Sequence, residues 1–130
     1  MKPRSKQHAY NQLKEYFSRA GAELAAVTGV DEHGFESVDC LYRTPEGRAC
    51  AVGCLIPDSK YNEEFENNRA SAVIQTVWPD LYRDPVSDSG YRGSVAEFLD
   101  MAQSCHDGAN SVGTFLAELR LLAENQGLKA

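Results

Sequence analysis

The chain has no apolar run long enough to cross a bilayer. Its basic start, Met1-Lys2-Pro3-Arg4-Ser5-Lys6, leads into a polar stretch rather than the apolar core of a signal peptide. Both absences predict a cytoplasmic protein of the cell that makes it, with no membrane partner. Positive charge is in deficit: 13 Lys and Arg against 19 Asp and Glu leave a net charge of −6. Binding to DNA or RNA rests on neutralising phosphates, and the basic residues here are scattered, so no nucleic-acid partner is expected. There is no Gly-rich phosphate loop, no C-x2-C pair and no internal repeat. No cofactor is implied. Four cysteines in a reducing compartment read as thiols rather than disulfides. The length of 130 residues predicts a single domain, 1–130, whose core needs no staples.

What is present centres on Cys40 to Pro57, CLYRTPEGRACAVGCLIP. Leu41-Tyr42-Arg43-Thr44 favours a strand, and Pro45-Glu46-Gly47 supplies turn chemistry. From Arg48 to Ile56, Cys50, Val52 and Cys54 alternate with small apolar residues, which predicts a second strand covered on both faces. The run Ala51-Val52-Gly53 leaves room for close approach by a helix, a ligand or another backbone. Pro57 ends the strand.

Around this hairpin the 3.6-residue period predicts helices. One spans residues 5 to about 28 on the stripe Tyr10, Leu13, Phe17, Ala20, Leu24 and Val27, with Ser5 as N-cap. A loop with a short strand around Phe35 to Val38 follows. A short helix covers Ala70 to Trp78 and stops at Pro79. Ser94 and Glu97 form a capping box that opens a helix to about His106. A last helix runs from Ser111 to Gln126 with Gly127 as its terminator, giving a C-terminal helical hairpin. The predicted class is α+β: a small antiparallel hairpin or sheet at about 36–56, packed with an N-terminal helix, a short middle helix and the helical hairpin.

Two sets of residues are candidates for function. Asp58, Glu63, Glu64 and Glu66 crowd one segment with Lys60 as the lone cation. The segment reads as a solvated loop, or as an acidic contact surface for a basic partner, with Tyr61 and Phe65 spaced to be buried by a helical turn. The second set is Cys50, Cys54, Cys105 and His106. With Cys40 these are enough ligands for a tetrahedral zinc site. Strand residues four apart lie about 13 Å from each other, so Cys50 and Cys54 could share an ion only if the backbone turns at Gly53. Alternatively, Cys50 or Cys54 could meet His106 as nucleophile and base, with Asp107 or Asp39 orienting the imidazole. A thiol in an uncharged strand is more often a small buried hydrophobe, and His106 also suits the negative end of a helix dipole. No catalytic residue is assigned.

Arg48 to Asp58 followed by Tyr61 resembles a family of small uncharacterised bacteriophage and prophage proteins. Those proteins carry a strand of the type (K/R)-C-A-(I/V)-G-x-L-I-P-D-x-x-Y after a Tyr-Arg strand, and a later His-Asp pair, here His106-Asp107. In this chain Ala49 stands between the basic residue and the cysteine. The resemblance brings no assigned activity. It implies an accessory protein that binds and modulates a host protein, including anti-defence inhibition. The family stretch is variable where this chain has Asn62 to Glu66, so the candidacy of Asp58, Glu63, Glu64 and Glu66 as the protein-binding residues rests on their charge in this sequence alone. A homodimer seamed by the first helix or the hairpin edge is the other arrangement the pattern permits.

Overall fold

Serines open three of the helices. Ser5 accepts the His8 amide at 3.0 Å, Ser94 the Glu97 amide at 3.1 Å and Ser111 the Thr114 amide at 3.1 Å. Each satisfies one of the donors that a helix start leaves unpaired. The computed structural model describes residues 2–30, 32–82 and 93–130. Its described α-helices are α1 (Lys6–Phe17), α2 (Ala70–Val77), α3 (Val95–Gly108) and α4 (Val112–Asn125).

The apolar stripes of these helices meet in one core. Leu13 and Phe17 of α1, Val73 and Ile74 of α2, Phe98 and Leu99 of α3, and Phe115 and Leu119 of α4 are all buried, as is Trp78. Phe17 and Phe115 pack edge to face with ring centroids 4.7 Å apart. α4 ends as Gly127 predicts. Its φ is +74°, the Leu128 amide reaches back to Ala123 O, and the Gly127 amide reaches Glu124 O. Those two bonds are the Schellman arrangement. No described helix is long and apolar enough to cross a membrane.

This helical core overturns the expected α+β class. The strand predicted over Arg48–Ile56 does not exist. The Pro45-Glu46-Gly47 turn does form, closed by the Thr44 amide on Arg48 O and by an isolated bridge between Arg43 and Ala49. Beyond it the chain coils. The Cys54 amide bonds Cys50 O, the Leu55 amide bonds Val52 O, and Gly53–Leu55 is a 3-10 turn. Cys50, Ala51, Val52, Leu55 and Ile56 are buried there without a ladder.

The predicted first helix is also shortened. It stops at Phe17, and Gly21 at φ +80° continues in the left-handed region, where a helix cannot go on. The β-branched stretch that follows is extended instead. β1 (Ala26–Val30) pairs antiparallel with β2 (Glu36–Cys40), Ala26 opposite Cys40 and Val30 opposite Glu36. This two-stranded ribbon contacts chiefly itself and forms no layer of the core.

Candidate functional site

The acidic segment folds as two short 3-10 turns, Asp58–Lys60 and Glu63–Asn67. Asn62 caps the second by accepting the Glu64 amide at 2.9 Å. Arg43 staples the segment from below. Its guanidinium donates to the Asp58 carboxylate and to Ile56 O, and lies over the Tyr61 ring 4.9 Å from its centroid. Tyr61 and Phe65 meet edge to face at 6.2 Å.

Glu66 turns inward. Its carboxylate accepts the Tyr42 amide at 2.8 Å, the Arg43 amide at 3.1 Å and the Tyr61 hydroxyl. Burial and the Glu66 carboxylate together push the Tyr61 phenol up to about 12. Glu66 is therefore a clamp between the 42–43 backbone and the acidic segment, its carboxylate already engaged within the chain. Asp58, Glu63 and Glu64 remain exposed.

The predicted thiol and metal set disperses. Cys50 is buried, its sulfur accepts the Gly53 amide at 3.3 Å, and burial pushes its thiol up to about 12. The Cys54 thiol donates to Ala51 O at 3.2 Å, and burial raises it as well. Both shifts favour the protonated thiol over the thiolate that a nucleophile needs. Cys105 precedes His106 on α3, but consecutive helical residues point about 100° apart. Burial and then Glu118 raise the Cys105 thiol.

His106 is fully buried, with the rings of Phe17 and Phe115 at 5.9 and 5.7 Å. Its Nε2 accepts the Ala25 amide at 3.3 Å. That bond assigns the ring proton to Nδ1, which faces Asp107 Oδ1 at 3.2 Å. The same carboxylate oxygen accepts from Gln103 Nε2 at 2.7 Å, and Gln103 Oε1 accepts the Val52 amide at 2.9 Å. The His-Asp pair of the sequence thus ties α3 to the coil before β1 and to the 50–56 turn.

One cysteine does reach this pair. Ligand atoms of Cys40, His106 and Asp107 all lie within 4.8 Å of one another, the one such group of three among the described residues. Cys40 ends β2, 66 positions before His106. Beside the group opens a polar cleft of about 270 Å³ between Asp100, Gln103 and Asp107 of α3 on one side and Tyr42, Glu66 and Arg69 on the other.

Compared with protein-family models, curated proteins and solved structures, the chain finds no match. Several motif residues have folding roles here: Gly53, Ile56 O, Asp58 and Tyr61 each meet the Tyr42-Arg43 pair directly.

Proposed function

We propose that the chain is a small accessory protein of phage or prophage origin that binds and modulates a protein of the bacterial host. The observation that carries this reading is the braced acidic segment. Arg43 and Glu66 hold it from below, while the carboxylates of Glu63 and Glu64 project into solvent and pair with no cation among the described residues. Exposed, unpaired carboxylates on a braced segment favour a basic partner surface, speeding encounter and setting register more than supplying affinity. The net charge of −6 adds long-range attraction of the same sign.

The test is a pull-down of the tagged protein from bacterial host lysate, followed by purified pairwise binding of what is retained. The variant is Glu63→Lys with Glu64→Lys, leaving Glu66 and its clamp untouched. The expected result is a stoichiometric partner whose binding weakens at least tenfold in the variant and falls with rising salt. Unchanged affinity removes this face, and self-association without a partner replaces the reading with a homodimer.

A further inference from the structure

We propose that Cys40, His106 and Asp107 bind a divalent transition-metal ion such as zinc, with a fourth position open to the neighbouring cleft. This goes beyond the binding-protein reading and does not depend on it. The ligand types are those zinc selects: a thiolate, an imidazole nitrogen and a carboxylate oxygen. An ion about 2.0–2.3 Å from each ligand holds them roughly 3.5 Å apart. The observed spread, all within 4.8 Å, is closed by small side-chain movements. Asp107 keeps 47% of its side chain exposed while His106 is fully buried, so the group faces outward from a rigid inner ligand. Gln103, held by the Val52 amide, orients Asp107 from behind, the arrangement that steadies metal ligands. Glu66, Asp100 and Asp107 outnumber Arg69 around the cleft and favour a cation there.

The proton count follows from the hydrogen bonds. Without an ion, Nδ1 carries the ring proton and Nε2 accepts from Ala25. The ion takes Nδ1, the ring proton moves to Nε2, and the imidazole stays neutral. Nε2–H then confronts the Ala25 N–H, so their 3.3 Å contact must open, which displaces the coil before β1. Cys40 binds as thiolate, so one proton leaves for each ion bound.

The experiment titrates the full-length, reduced protein with Co²⁺, followed by Zn²⁺ competition. The expected result is one ion per chain with thiolate-to-cobalt charge-transfer absorption and a shifted Ala25 amide resonance. That absorption survives Cys105→Ser and disappears in Cys40→Ser. Asp107→Asn, close to isosteric and partly exposed, weakens Co²⁺ binding by more than the ~10–100-fold expected for an outer-shell partner, and Gln103→Ala falls within that range. Circular dichroism confirms that each variant is folded. Absence of the absorption in the wild-type protein, or its loss in Cys105→Ser but not in Cys40→Ser, overturns the proposal.

Discussion

Gly53 sits so close beneath the carbonyl of Tyr42 that a Cβ at this position would lie 2.0 Å from the oxygen and 2.7 Å from the carbonyl carbon. The obstacle is backbone, not a side chain that can swing away. Gly53→Ala must therefore push the 50–56 coil off the Tyr42-Arg43 segment. Overpacking of this kind costs about 1–3 kcal/mol, and backbone contact places it at the upper end. Gly113→Ala is the control: its Cβ would meet only Ser111 Oγ at 3.9 Å, near the start of α4. That change should be neutral or stabilising by up to about 1 kcal/mol. Urea midpoints for the two variants check the contrast, and equal midpoints would show that the close approach is not real.

Glu66 and its acidic neighbours should separate sharply on mutation. Glu66→Ala leaves the Tyr42 and Arg43 amides without their acceptor and removes the Tyr61 partner. Partly buried unpaired donors cost about 1–3 kcal/mol, and water can reach this edge, so a loss of about 2–3 kcal/mol is expected. Glu63→Ala and Glu64→Ala alter exposed side chains and should stay within about 0.5 kcal/mol of wild type. Denaturant titration ranks the three, and a Glu66→Ala as mild as Glu63→Ala would remove the clamp.

The two outcomes show which features were legible in the sequence. The C-terminal helical hairpin was, because its instructions are local: Ser94 and Ser111 as caps, Gly127 as terminator, and a clean apolar stripe on each helix. The 48–56 coil was not. Small apolar residues in alternation suit a strand and a tight coil alike. The choice was made by a contact between Gly53 and Tyr42, which belongs to tertiary structure. Leu24 and Val27 continue the helical spacing past Gly21 by coincidence, so periodicity alone carries the first helix beyond Phe17, where it ends. Glu66 looked like any other exposed acid, since the amides it serves lie 24 and 23 positions earlier. Asp107 was visible as the partner of His106, being adjacent. Cys40 was one thiol among four, and nothing in its flanks marks it as the one the ribbon delivers to α3.

His106 can be tested apart from any metal. His106→Phe keeps an aromatic ring beside Phe17 and Phe115 but offers no acceptor to the Ala25 amide and no donor to Asp107. A buried amide left unpaired costs about 1–3 kcal/mol, and the added apolar ring recovers part of it. Net destabilisation with faster hydrogen exchange confined to the Ala25 amide is the expected signature. Wild-type exchange at Ala25 would show that the bond contributes nothing to holding this coil.

Alkaline pH should unfold the protein in a defined window. Burial pushes the Cys50 thiol from 9.0 up to about 12, while burial and Glu66 push the Tyr61 phenol from 10.0 up to about 12. Between the unfolded and folded values, the unfolded chain has lost protons that the folded chain still holds. Stability then falls as pH rises. The contribution from Cys50 is complete below about pH 9 and that from Tyr61 below about pH 10, and both are gone above about pH 12. Urea midpoints measured from pH 7 to 12 under reducing conditions should hold level to about pH 9 and then decline. Cys50→Ala lowers the whole curve, because the Gly53 amide loses its sulfur acceptor, but it makes the first part of the decline shallower, with the raised Cys54 and Cys105 thiols keeping their share. Tyr61→Phe makes the later part shallower instead, with the Tyr42 phenol, also raised by burial, keeping its share. A Cys50→Ala curve parallel to wild type between pH 9 and 10 would mean that the Cys50 thiol is not held in its protonated form by the fold.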